Sequence, residues 1–171
     1  MGPISLSTEV DAPREQVFDF ICDLAARPGW TDHFAHDYHL ERIPPRGQGA
    51  AARFRVDAPA GIRYMETVIA EAARPHRVVE NGRGGRLDRT TMRTVWELSE
   101  NGVTNVTFTF WTEPASMFDR IREAGRSRWW RRRWAKALRR LRDAIESGAE
   151  SAPRAQVAGS DRLPTGHPVK S

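Results

Sequence analysis

Residues 127–145 read SRWWRRRWAKALRRLRDAI. Trp130, Trp134, Leu138, Leu141 and Ile145 recur at spacings of four, four, three and four, one stripe of a 3.6-residue period. The spacing predicts one long helix over 116–145. Its other faces are loaded with arginine. Between Arg120 and Arg142 stand eleven Arg/Lys and one acid, a local balance of +10, although the whole chain carries only +5. So one-sided a helix must lay its stripe on another element, and the rest of the chain has to supply it.

Residues 4–10 (ISLSTEV) alternate, with Ile4, Leu6, Thr8 and Val10 on one side, as in a half-buried strand. Asp11 suits a helix N-cap and Pro13 a first turn, so a helix is expected to about Cys22, burying Val17, Phe18 and Ile21. A second helical turn over 24–27 should stop at Pro28-Gly29, and 30–37 (WTDHFAHD) reads as irregular. Strands are expected at 38–43, 51–56, 63–72, 77–80, 89–98 and 104–112. Between them, 81–88 (NGRGGRLD) reads as a loop and Asn101-Gly102 as a tight hairpin. From 148 onward the composition turns to Ser, Ala, Pro, Gly and isolated charges without periodicity. That leaves 1–147 as one domain and 148–171 as a tail expected to be disordered.

The order is strand, two short helices, six strands, long helix. Short turns between consecutive strands imply an antiparallel sheet, and segregated helices make the chain α+β. A curved sheet of seven strands could bury its concave face only on the long helix. The single cysteine, Cys22, excludes an internal disulfide. No apolar run approaches the roughly 20 residues that span a bilayer. The N-terminus lacks a basic region followed by an apolar one, so a cytoplasmic protein is expected.

These pieces resemble the SRPBCC superfamily, which includes START-like domains, plant pathogenesis-related allergens and polyketide cyclase/dehydrase-like proteins. The resemblance rests on VDAPREQVFDFICDL after the first strand, Pro-Gly-Trp at 28–30, RGQGAAARFRV, TVIAEAARPHRVV and the terminal LRRLRDAIE. It covers about residues 3–146. It implies a helix-grip fold, a seven-stranded antiparallel sheet wrapped around the long helix with a cavity between them. Its members hold lipids, polyketides, hormones or other apolar molecules there, and some cyclise or dehydrate them. The resemblance carries no universal catalytic motif.

Read by themselves, several residues could carry chemistry. Trp30, Phe34, Tyr64, Trp96, Phe108, Phe110, Phe118 and Trp130 are the apolar and aromatic groups a ligand pocket would be built from, though plain core packing explains each singly. Glu66 faces inward if Tyr64, Val68 and Ala70 do; a carboxylate in an apolar cavity could move protons. The opposite phase, with Met65, Thr67 and Ile69 inward, fits the pattern as well and puts Glu66 in solvent. His33, His36 and His39 recur every three residues, but converge on a metal only in a helix, and no helical pattern surrounds them. A single histidine, His36 or His33, could act as general acid or base. The candidate catalytic groups are therefore Glu66, His36 and Tyr64.

No phosphate loop, dinucleotide fingerprint, HExxH, G-x-S-x-G or C-x-x-C is present, so no cofactor and no metal is expected. Cys22, in an amphipathic helix, reads as a structural thiol. The arginines admit three readings: a solvated face paired with acids elsewhere, attraction to an anionic membrane surface, or nucleic-acid binding, which the absence of a recognisable module disfavours. The leading function is binding of a hydrophobic small molecule between sheet and helix. The alternative is a polyketide cyclase, aromatase or dehydratase using a cavity His, Glu or Tyr. A phase break at Ile121 and Gly125 predicts a bend there, with Phe118 and Ile121 near the cavity mouth.

Overall fold

The structure, a computed structural model, describes residues 2–41, 44–59, 61–84, 90–114, 125–148 and 154–157. Strand β1 (Ile4–Val10) leads into helices α1 (Arg14–Cys22) and α2 (Pro28–Thr31). Six strands follow: β2 (Ala35–Leu40), β3 (Ala51–Ala58), β4 (Gly61–Ala73), β5 (Arg77–Gly84), β6 (Thr90–Asn101) and β7 (Val103–Pro114). Helix α3 (Ser127–Glu146) follows the sheet. All seven strands form one antiparallel sheet in the order β1-β7-β6-β5-β4-β3-β2. The chain is thus the α+β helix-grip arrangement that the resemblance implies.

The stripe of α3 does what its spacing requires. Trp130, Trp134, Leu138, Leu141 and Ile145 are all buried, joined by Ala137. Trp130 and Trp134 meet the inward residues of β6 and β7, where Trp96 pairs with Phe108 and Thr94 with Phe110 across the ladder, and the helix also lies against β1. Trp134 sits at the centre, with ring centroids 4.5 Å from Phe108 and 5.2 Å from Phe34. Such tilted and edge-on aromatic pairs add about 0.5–1.5 kcal/mol each beyond their burial. The expected helix over 116–126, its bend and the side chains of Phe118 and Ile121 lie outside the described residues, apart from a turn at Gly125 and Arg126.

Four local expectations are corrected. Asp11 does not cap α1: the cap position is Pro13, with no side-chain bond, and the Asp11 N–H donates instead to Glu146 at 2.9 Å. Pro28 starts a helix and does not stop one, because its fixed φ suits the first turn, where its missing N–H costs nothing. Strand β2 begins at Ala35, inside the stretch read as irregular, and carries a bulge between His36 and His39. Strand β5 runs on through Asn81 to Gly84, which read as loop. The glycines there serve close approach: a Cβ on Gly82 would stand 2.4 Å from the Glu66 carbonyl oxygen of β4.

Residues 154–157 lie in the stretch whose composition reads as tail. They join the turn after α1 to the end of β2: the Ala155 N–H donates to the Ala25 carbonyl at 2.8 Å, and the Leu40 N–H to the Gln156 carbonyl at 2.9 Å.

Candidate functional site

Between the concave sheet and α3 lies a cavity of about 40 Å³. A buried water needs about 10–15 Å³ on this measure, so the space holds roughly three. Its apolar wall comes from Phe34, Met65, Phe110, Trp130 and Trp134, and its polar wall from Arg27, Tyr38, Thr67 and Glu80.

The polar wall is built around a buried ion pair. Arg27 ends the turn that follows α1, and its guanidinium donates to Glu80 at 2.7 and 3.4 Å and to the Ile21 carbonyl at 3.2 Å. The two side chains are only 5% and 4% exposed. Glu80 points inward because it shares the inner face of β5 with Val78, in register with Thr94 on one side and Ile69 on the other. Thr67 donates to it at 3.1 Å and the Trp96 indole at 2.8 Å. The guanidinium also lies 4.8 Å from the Trp30 ring and 5.6 Å from the Trp96 ring. Burial works against its charge, but the surrounding groups, Glu80 foremost, together outweigh that and raise the Arg27 pKa further.

Beside this pair stands Tyr38, its ring stacked on Phe54 at 5.4 Å. Burial pushes its phenol pKa up, so the hydroxyl stays protonated. That hydroxyl, the Arg27 Nε and the Trp30 and Trp134 indole nitrogens are buried with no hydrogen-bond partner among the described residues. Each such group costs about 1–3 kcal/mol relative to a satisfied one.

Of the residues singled out from sequence, Phe34, Phe110 and Trp130 line the cavity. Trp30, Trp96 and Phe108 are fully buried behind that lining. Tyr64 is 60% exposed, on the outer face of β4. The buried phase of that strand is Met65, Thr67 and Ile69, so the inward alternative for Tyr64 and Glu66 is corrected. Glu66 is half-buried on the outer face, in register with Arg53 and Arg83. His36 is at the sheet edge, 3.6 Å from Asp57. His33 turns to α3, bonding the Arg133 carbonyl at 3.1 Å. The three histidines do not converge, and no group of metal-binding residues occurs among the described residues.

Sequence reasoning missed Arg27, Tyr38 and Glu80, and placed Thr67 inward only as one of two phases. Period two in Val78-Val79-Glu80 was the available signal for Glu80. Arg27 had none, because its direction depends on a turn held by a long-range bond from the Leu24 N–H to the Pro45 carbonyl.

The family model for polyketide cyclase / dehydrase and lipid transport matches residues 1–146. The chain belongs to this SRPBCC-type family. No curated protein matches it significantly. Solved structures similar to it include KanY, at 18% identity and a TM-score of 0.67, covering 85% of this chain and 99% of KanY. Major latex-like protein 151 of Panax ginseng has 12% identity and a TM-score of 0.59, covering 86% and 96% of the two chains. DynU16, from the dynemicin biosynthetic locus, has 17% identity and a TM-score of 0.59; the match covers 88% of this chain and 48% of DynU16. At these identities the likeness carries the fold alone. No described helix of this family member is long and apolar enough to cross a membrane.

Proposed function

We propose that the protein binds a hydrophobic small molecule, lipid-like or polyketide-like, between the sheet and α3. The carrying observation is the cavity itself, apolar on the α3 side and closed on the other by Arg27, Tyr38 and Glu80. Family membership supports the ligand class, as does the origin of DynU16 in a biosynthetic locus. Apolar burial supplies affinity and the polar wall fixes orientation. At about 40 Å³ the cavity fits only small molecules as it stands, so a larger ligand enters by displacing the aromatic side chains around it.

Binding is favoured over cyclisation by the state of the polar wall. Glu80 is committed to Arg27, Thr67 and Trp96 and is no free base. Glu66, His36 and Tyr64 do not reach the cavity. The test is titration with a planar aromatic probe such as an anthraquinone, following tryptophan fluorescence. Saturable quenching that is weakened in Trp134→Leu supports the reading; no quenching up to probe solubility overturns it.

We also propose that the outer face of α3 meets an anionic membrane surface. Arg133 and Arg140 bind back to α2 and its neighbour His33, and Arg142 pairs with Asp143. Arg128, Arg131, Arg132, Lys136 and Arg139 are exposed and have no acid partner among the described residues. The single, buried cysteine suits a reducing, cytoplasmic setting.

A further inference from the structure

Strand β2 is one edge of the sheet, a row of backbone groups that would otherwise be free to pair. Residues 154–157 meet it at its last residue. Leu40 and Val157 form a parallel bridge, and the Leu40 N–H donates to the Gln156 carbonyl at 2.9 Å. On the other side the Ala155 N–H donates to the Ala25 carbonyl at 2.8 Å. Ala155 and Val157 pack partly buried against the core. At the head of the segment Arg154 donates to the Asp23 carboxylate at 2.6 Å, and that carboxylate is only 5% exposed. Arg46 reaches the same oxygen at 2.7 Å.

These contacts combine the two parts of recognition by strand addition: main-chain bonds that hold an extended peptide, and a side-chain site that selects one residue. The family match ends at residue 146, so the occupant lies beyond the part of the chain that the family shares. Arg154 and Gly148, just past the end of α3, line the same surface groove over α1. The segment therefore docks close to where the helix leaves off.

We propose that the β2 edge and the buried Asp23 carboxylate form a peptide-binding site, and that its occupant is the chain's own segment 154–157, recognised through Arg154. Asp23 and Ala25 belong to the turn that carries Arg27, so the docked segment braces the polar wall of the cavity from outside.

The test is amide hydrogen exchange on the full chain, read by NMR at Leu40 and Ala155. In Arg154→Ala both amides should exchange about tenfold faster or more, as expected for loss of a charged hydrogen bond, while amides of the β6–β7 ladder stay unchanged. Adding a synthetic peptide of residues 151–160 to that variant should restore Leu40 protection with increasing dose. The same peptide with alanine for its arginine should not. Equal exchange in wild type and variant overturns the proposal, and so does equal rescue by both peptides. Protection that rises with protein concentration also overturns it, because the occupant would then be another copy's segment.

Discussion

Arg27 and Glu80 meet at 2.7 Å inside the domain, a charged pair bridging the turn after α1 to the centre of the sheet. Removing one member leaves the other charged and buried, which costs about 3–5 kcal/mol, whereas replacing both by apolar groups of similar volume is often neutral. Glu80→Met should therefore lower stability by about 3–5 kcal/mol in urea unfolding. The double variant Arg27→Met, Glu80→Met should recover most of that loss. Equal losses in the single and double variants would show that the pair is not the source of the effect.

Gly82 sets the distance between β4 and β5. A methyl group there would meet the Glu66 carbonyl oxygen at 2.4 Å and the Met92 Cε at 3.1 Å, and the first contact is with backbone. Gly82→Ala should cost about 1–3 kcal/mol, the range for overpacking. Gly2→Ala, which meets nothing within 4 Å, is the control. Thermal unfolding of both variants decides the point, since equal midpoints would mean the two strands part freely.

The fold was legible because its signals are periodic and local. The Trp130 to Ile145 stripe and the alternation through Val106, Phe108 and Phe110 fix which faces are buried. Alternation alone cannot choose a phase where both faces carry mixed residues, which is why β4 stayed ambiguous until its partners were known. The site was much less legible. Arg27 reaches the cavity only because the turn after α1 is pinned to Pro45, and the Asp23–Arg154 contact joins residues 131 positions apart. Glycines at 82 and 84 read as loop signals, yet they mark strands too close for any side chain.

Cys22 should behave as an inert thiol. Burial pushes its pKa up to about 12, with Glu80 adding to the shift and Arg27 opposing it. The reactive thiolate is therefore scarce near neutrality. Iodoacetamide at mildly alkaline pH should leave the folded protein unmodified and alkylate it fully in denaturant, as read by intact mass. Rapid labelling of the folded chain would contradict the burial of this helix face.

Asp23 should make the protein acid-sensitive. Burial alone would raise its pKa, but the hydrogen bonds and charges of Arg154 and Arg46 outweigh that and hold it below the usual carboxylate range. A carboxyl with a depressed folded pKa stabilises above its unfolded value, near 3.9, and loses that contribution as pH falls through the folded pKa. Wild type should thus exceed Asp23→Asn in melting temperature at neutral pH, with the gap narrowing below about pH 4. A gap that is constant between neutral and strongly acid pH would rule out Asp23 as the source.

The exposed cations of α3 give the membrane proposal a salt-dependent signature. Each Lys or Arg near an anionic bilayer contributes about 1 kcal/mol, and the attraction fades beyond a Debye length of about 8 Å at physiological ionic strength. Arg128, Arg131 and Arg132 are all exposed and take no part in the α2 contacts that use Arg133 and Arg140. Changing those three to glutamine should leave the fold intact while weakening adsorption to phosphatidylserine vesicles by about 100-fold or more. Raising the salt should weaken wild type in the same direction. Arg133→Gln and Arg140→Gln should mainly loosen the α2–α3 contact, lowering the melting temperature. Absence of adsorption by the wild-type chain at low salt, measured by vesicle co-sedimentation, would remove the membrane reading and leave these cations as a solvated face.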